Sequence, residues 1–264
     1  MKEDRLKYPV ETVHQCGEYY KAGHSLTETA EKFGVPYQWV KVNLLRYGYR
    51  QPSKKLSHQL HTPITYFSKI DSHNKAYLLG WMFSDGYICK NPYGYTLGIA
   101  LQTQDKYILE FIATELGLPI SKISKYKNSY KLCVNERTVC EDLIALGVVE
   151  DKSHTEIHVP NIPEEFLNSF IAGVFDGDGC VTFKQNRYQS VSICSNSKSF
   201  LEEIQKILNK NGIPVSSVRQ QKPNLHVLYV SSRNKGHIKF ADFIYANREI
   251  RLKRKYDRFM KIPR

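Results

Sequence analysis

A chain of 264 residues, 41% hydrophobic and 24% charged, has the makeup of a globular protein with room for a sizeable core. No apolar run reaches the roughly 18 residues that cross a bilayer, and the opening Met-Lys-Glu-Asp-Arg-Leu-Lys holds no apolar signal core, so an intracellular protein is expected, neither secreted nor membrane-bound. The formal net charge of +12 points to a polyanionic partner, or less specifically to a basic enzyme surface.

In chain order, residues 25–50 read as two short helices around a tight turn. Ser25 and Glu28 have capping-box spacing, Leu26, Ala30 and Phe33 share a helical face, and Gly34 ends the first helix. Val35-Pro36 starts a second, running through Trp39, Val40, Val42, Leu44 and Leu45 to Gly48. This is helix-turn-helix spacing. The second helix would offer Tyr37, Gln38, Lys41, Asn43 and Arg46 to a major groove, although such hairpins also serve purely as packing units. Residues 51–68, with Pro52 and Pro63 and little periodicity, read as a linker, so the amino-terminal region is taken as 1–60 with its linker.

The remainder repeats. Leu78-Leu79-Gly80-Trp81-Met82-Phe83-Ser84-Asp85-Gly86 is answered 93 residues later by Ile171-Ala172-Gly173-Val174-Phe175-Asp176-Gly177-Asp178-Gly179. After the first copy, strands are predicted at Tyr87–Lys90 and Tyr95–Leu101, then a helix around Leu109–Ile112, a turn at Gly117-Leu118-Pro119, and strands near 122–127 and 130–135. After the second come Cys180–Lys184, Gln189–Cys194, a helix around Leu201–Ile204, a turn at Gly212-Ile213-Pro214, and strands near 217–221 and 225–231. Each half is therefore helix, two strands, helix, two strands and a closing helix. Two copies of so long a period make a pseudo-dimer in one chain, not a solenoid. The expected fold is α+β, two pseudo-symmetric αββαββα halves over 69–158 and 159–264, preceded by the small all-α region.

The strand regions carry many Lys, Arg, Gln and Asn side chains. Lys90, Lys125 and Lys127 belong to the first half; Lys184, Arg187, Tyr188, Gln189, Arg219 and Gln221 belong to the second. An antiparallel sheet turns one face to water, so these residues are either solvated or in contact with duplex DNA, whose base edges such side chains read. Residues 248–264 hold eight Lys/Arg against Glu249 and Asp257, a segment that reads as phosphate-binding or as a solvated charged helix. Cys16, Cys89, Cys133, Cys140, Cys180 and Cys194 form no Cys-x-x-Cys pair and read as reduced core thiols. His154 and His158 have ligand spacing, but Pro160 follows and no cysteine pair accompanies them, so no zinc site is expected.

The repeated stretch is where chemistry is expected. Its apolar residues leave no polar stripe, the pattern of a helix buried on most sides. Glycine in such a helix costs up to about 1 kcal/mol relative to Ala, and it lets another backbone come close. Packed about a pseudo-twofold axis, Gly80 would meet Gly173. Asp85 and Asp178 would then emerge side by side at helix ends that disfavour negative charge, a pair suited to a hard divalent cation. As turn residues before glycine they also have a purely structural reading. Asp176 has Phe83 as its counterpart, so a symmetric metal role falls to Asp85 and Asp178, with Asp176 left as a local hydrogen-bonding or helix-end residue.

On Ile171 to Gly179, and more weakly on Leu78 to Gly86, the chain resembles the LAGLIDADG homing endonucleases of the monomeric, two-motif type, over roughly residues 70–260. Leu79 and Phe83 depart from the usual small residue and first acid. The resemblance implies that Asp85 with the Ser84 carbonyl and Asp178 with the Gly177 carbonyl bind Mg²⁺, with Mn²⁺ or Ca²⁺ able to take the site in vitro. It implies a basic residue near the scissile phosphates late in each half, Lys152 and Lys255, with Lys253 the alternative in the second, and a solvent-orienting polar residue at Gln102 and Ser195. The implied activity is metal-assisted hydrolysis of one phosphodiester on each strand of a long asymmetric duplex site by an intron-encoded monomer. A DNA-binding regulator without cleavage and an intron maturase are the alternatives on the same fold. An intein context is not expected, because the ends lack the Cys/Ser and His-Asn chemistry of splicing.

Overall fold

Ser25 opens its helix as the spacing predicts. Its hydroxyl accepts from Glu28 N at 3.1 Å while the Glu28 carboxylate accepts from Ser25 N at 2.7 Å. The helices run Leu26–Lys32 (α2) and Tyr37–Arg46 (α3), separated by Gly34 at φ +63°. In this computed structural model, which describes residues 8–49, 64–91, 94–152, 154–184, 188–246 and 248–262, a preceding helix α1, Val10–Lys21, joins them. Helix α1 is absent from the sequence reading, although Val13, Cys16 and Tyr20 have helical spacing. Val13, Cys16, Ala30, Val35, Val40 and Leu44 form the core of this three-helix unit. The apolar residues of α3 do not all face inward: Val42 is 50% and Leu45 41% exposed, while Asn43, expected outside, is buried with its amide donating to Trp39 O.

The second compact unit is described from residue 64. The end of the expected linker belongs to it, because Phe67 is buried in its core. Helix α4 (His73–Phe83) leads to β1 (Tyr87–Asn91) and β2 (Gly94–Gln102), then α5 (Lys106–Glu115), β3 (Ile123–Tyr126), β4 (Ser129–Val134) and α6 (Arg137–Ala145). Helix α7 (Leu167–Asp178) repeats the order with β5 (Gly179–Lys184), β6 (Tyr188–Ser195), α8 (Lys198–Lys210), β7 (Arg219–Lys222), β8 (Leu225–Val230) and α9 (Gly236–Tyr245). The second half adds α10, Lys253–Phe259. The two antiparallel sheets share one topology, β1-β2-β4-β3 and β5-β6-β8-β7.

Alternation sets the faces of each sheet. Leu97, Ile99 and Leu101 of β2 and Val191 and Ile193 of β6 are buried, so the residues between them lie on the opposite, open face. Helices α4 and α7 pack on each other at the centre of one continuous core containing Tyr77, Leu78, Trp81, Phe170, Ile171 and Phe175. Burying each large apolar side chain there contributes about 1.5–3 kcal/mol. The glycines set the spacing: a Cβ on Gly80 would lie 2.2 Å from Phe170 O and 2.8 Å from Gly173 Cα. A Cβ on Gly173 would lie 2.1 Å from Tyr77 O. Only hydrogen fits at either position.

All six cysteines are free thiols, but only Cys16 and Cys140 are core residues; Cys89 and Cys180 are exposed. They lie on strands whose neighbours Ile88 and Val181 take the buried face, so the period of two turns the thiols outward.

Candidate active site

The close packing of α4 on α7 brings the two Asp-Gly ends together. A Cβ on Gly177 would overlap Ser84 and stand 3.1 Å from Asp85 Oδ2, so the end of the second motif abuts the carboxylate of the first. Asp85 and Asp178 both reach solvent, yet the protein around each raises its pKa by desolvation, Asp178 to about 6. For Asp178 the charge of Asp85 is the next cause, and Lys152 and Lys255 act in the opposite direction.

Those two lysines answer the helix-end problem. Lys152 Nζ donates to the carbonyls of Met82 (3.0 Å), Phe83 (3.3 Å) and Ser84 (2.7 Å), and also to that of Gly86. Lys255 Nζ donates to the equivalent carbonyls of Phe175 (2.7 Å), Asp176 (2.7 Å) and Gly177 (3.0 Å). The last turn of a helix leaves carbonyls without intrahelical donors and carries partial negative charge, and an ammonium has three N–H groups to offer. Each lysine thus caps the motif helix of its own half while lying within Coulombic reach of both carboxylates. Burial brings both lysines down to about 8, with the carboxylates holding them from falling further.

The donor set suits a hard divalent cation. Among the described residues no cluster of three His, Cys, Asp or Glu exists, so the available ligands are two carboxylates with the Ser84 and Gly177 carbonyls. Each of those carbonyls accepts from a lysine but retains a second lone pair. Oxygen donors from two carboxylates, completed by water, are the ligands that hard divalent cations take. Asp176 takes no part: it is fully buried, and its Oδ2 accepts from Tyr77 OH at 2.7 Å and from Leu252 N at 2.9 Å.

Gln102 ends β2 on its open face, exposed and accepting from Gln104 at 2.9 Å. Ser195 is not its structural counterpart. Ile88 pairs with Leu97 and the equivalent Val181 with Val191, so the second hairpin is one residue longer and Gln102 corresponds to Asn196. Ser195 corresponds to Leu101, and its hydroxyl accepts from Ser197 N at 3.2 Å. Asn196 is exposed at the strand end.

Of the basic and polar strand residues, Lys90, Lys125, Lys127, Arg219 and Gln221 are exposed. Arg187 lies outside the described residues, as do the side chains of Lys184, Tyr188 and Gln189. On α3, Gln38 and Arg46 are exposed and Lys41 is half-buried. In the basic carboxy-terminal segment Lys253, Arg258 and Lys261 are exposed, and several arginines have partners within the protein. Arg248 lies over the Tyr77 ring at 4.5 Å and Arg251 over Tyr256 at 3.9 Å, Arg254 pairs with Asp105 at 3.0 Å, and Arg258 donates to Val181 O. His154 and His158 pair with Asp151 and Glu203.

Known proteins share this architecture. Over 140 residues the chain is 31% identical to a probable translation initiation factor IF-2 of Methanocaldococcus jannaschii; the match covers 50% of this chain but 11% of that protein, so the chain spans about a tenth of its curated relative. The solved structure of the homing endonuclease I-WcaI bound to its DNA recognition sequence superposes with a TM-score of 0.54 at 17% identity, covering 78% of this chain and 94% of that one. The meganuclease I-SmaMI bound to uncleavable DNA gives 0.50 at 12% identity, covering 70% and 89%. The model of the WhiA LAGLIDADG-like domain matches residues 74–157, and that of the LAGLIDADG-like domain matches residues 165–241. With one such match on each pseudo-symmetric half, together covering more than half of its length, the chain belongs to the LAGLIDADG family, as a single polypeptide carrying both motifs.

Proposed function

We propose that the protein is a site-specific endonuclease that hydrolyses one phosphodiester on each strand of a long asymmetric DNA duplex with a divalent cation, Mg²⁺ by preference. The observation that carries this reading is the meeting of Asp85 and Asp178 at abutting helix ends, with Lys152 and Lys255 beside both. Asp85 and Asp178, with the Ser84 and Gly177 carbonyls, hold the cation. When bound, that cation supplies neutralisation of phosphate charge and an acidified water. Lys152 and Lys255 offset charge that develops on the phosphate oxygens in the transition state. Gln102 and Asn196, polar residues at equivalent strand ends, orient attacking water. The duplex lies along the open faces of the two sheets, against Lys90, Lys125, Lys127, Arg219 and Gln221. In the amino-terminal unit α3 reads a second stretch of major groove through Gln38, Lys41 and Arg46, with the exposed Val42 and Leu45 available to thymine methyl groups.

An in vitro cleavage selection over a randomised duplex library in Mg²⁺ tests the proposal. Recovery of one long asymmetric sequence cut on both strands is the expected result. A second reading, a DNA-binding regulator that does not cut, is favoured by the first half's match to the WhiA LAGLIDADG-like domain together with the helical hairpin of the amino-terminal unit. Metal-independent binding of a specific duplex with no nick at any protein concentration selects that reading.

A further inference from the structure

The segment that carries Lys255 is tethered residue by residue. Tyr107 OH donates to Arg251 O at 3.0 Å and accepts from Lys253 N at 2.7 Å, which uses both functions of the one hydroxyl. Asp176 Oδ2 accepts from Leu252 N at 2.9 Å, and Asp105 Oδ2 accepts from Arg254 Nε at 3.0 Å. Lys255 itself caps α7. Two of these anchors, Asp105 and Tyr107, come from the other half, where they immediately follow the strand end at Gln102. Asp105 is buried, and its carboxylate meets an Arg254 side chain that stays 37% exposed.

The arrangement is mirrored only in part. Matching the buried faces of α5 and α8, Leu109 with Leu201 and Ile112 with Ile204, places Asp105 opposite Ser197 and Tyr107 opposite Ser199. Both serines reach across to the first half: the Ser197 hydroxyl accepts from Ile157 N at 3.2 Å and donates to Ile157 O at 2.8 Å, and Ser199 donates to Glu156. These contacts hold the chain four and five residues beyond Lys152, whereas Tyr107 and Asp105 grip the residues immediately before Lys255.

We infer that Tyr107 and Asp105 are positioning residues that hold the second-half lysine, Lys255, in place from the first half, so that loosening this latch slows the strand served by Lys255 and spares the other. The inference rests on the proposed endonuclease activity for its kinetic consequence but not for its structural one. Without the Tyr107 hydroxyl, Arg251 O and Lys253 N lose their common partner, and the turn leading into α10 loosens. Lys255 then leaves its carbonyl seat more often.

Two readouts on the purified full chain test this. The first is amide hydrogen exchange in wild type, Tyr107→Phe and Asp105→Asn without DNA. Exchange at Leu252 and Lys253 is expected to quicken about tenfold in Tyr107→Phe, with α4 and α7 unchanged; unchanged exchange over 251–255 overturns the inference. The second is the rate of nicking of each strand of a selected site, with Lys255→Met used to mark the strand that depends on Lys255. Tyr107→Phe and Asp105→Asn are expected to slow that strand about tenfold or more while the other stays within about threefold, so that a singly nicked product accumulates. Equal slowing of both strands, which a general loss of structure would give, overturns the inference. A wild-type chain that cuts neither strand defeats the endonuclease proposal, and hydrogen exchange still decides the latch.

Discussion

Gly173→Ala perturbs the contact on which the composite site depends. The added Cβ would stand 2.1 Å from Tyr77 O and 2.9 Å from Gly80 Cα, all backbone that no rotamer change can move aside. Comfortable carbon contacts lie at about 3.5–4.0 Å, so α4 and α7 must part by about an ångström. Overpacking costs about 1–3 kcal/mol, and with backbone on both sides the upper end applies. Alanine returns up to about 1 kcal/mol through its better helix propensity. The net loss is about 2 kcal/mol, which in a unit of this size lowers Tm by roughly 4–8 °C. Urea and thermal unfolding measure it directly. Gly80→Ala should cost about as much, since its Cβ would stand 2.2 Å from Phe170 O. The double variant should cost less than the sum, because the first separation already makes room for the second methyl. An unchanged or raised Tm in Gly173→Ala would refute the backbone-to-backbone packing.

Asp178 titrates near 6 in the folded protein against an ordinary 3.8, so the native state holds its proton more tightly than the unfolded chain. Its contribution to stability is therefore lost as pH rises from about 4 to about 6. Asp178→Asn should raise Tm at pH 7.5 relative to wild type, with the gap closing below pH 4, while the acid limb of the cleavage profile near pH 6 disappears with the activity. Tyr77→Phe leaves Asp176 with Leu252 N as its remaining named hydrogen-bond partner and should cost about 1.5–3 kcal/mol in chemical denaturation, as expected for a bond to a buried charge. Ser25→Ala removes the hydroxyl that accepts from Glu28 N, while the Ser25 backbone N–H keeps the Glu28 carboxylate, and should lower the stability of the three-helix unit by about 1 kcal/mol, read from its far-ultraviolet melting.

The legible parts of the site were those where a residue is wrong for its local structure. Glycine inside an apolar helix and aspartate at its end have no local justification, so Gly80, Gly173, Asp85 and Asp178 declared a partner outside their own helix. Comparing the copies assigned Asp176 a structural role, and its burial between Tyr77 and Leu252 agrees. Charge pattern was a poorer guide. Sequence gives the sign of a charge and not its neighbour, so the partners of Arg248, Arg254 and Arg258, which lie far along the chain, were not legible. Gln102 and Ser195, taken from the resemblance, are not equivalent positions, because the second hairpin is one residue longer than the first and strand register matches Gln102 with Asn196. Lys152 and Lys255 were legible by resemblance as residues near the phosphates, but their seats on the carbonyls of α4 and α7 emerged only in three dimensions.

The central claim is that one composite site takes one carboxylate from each half. Its most direct test is plasmid cleavage in Mg²⁺, at a site recovered by selection, by wild type, Asp85→Asn and Asp178→Asn. Each substitution alone should abolish the linear product, and mixing the two variants should not restore it, because neither protein contains a complete pair. Linear product from either variant at the wild-type rate would contradict the account.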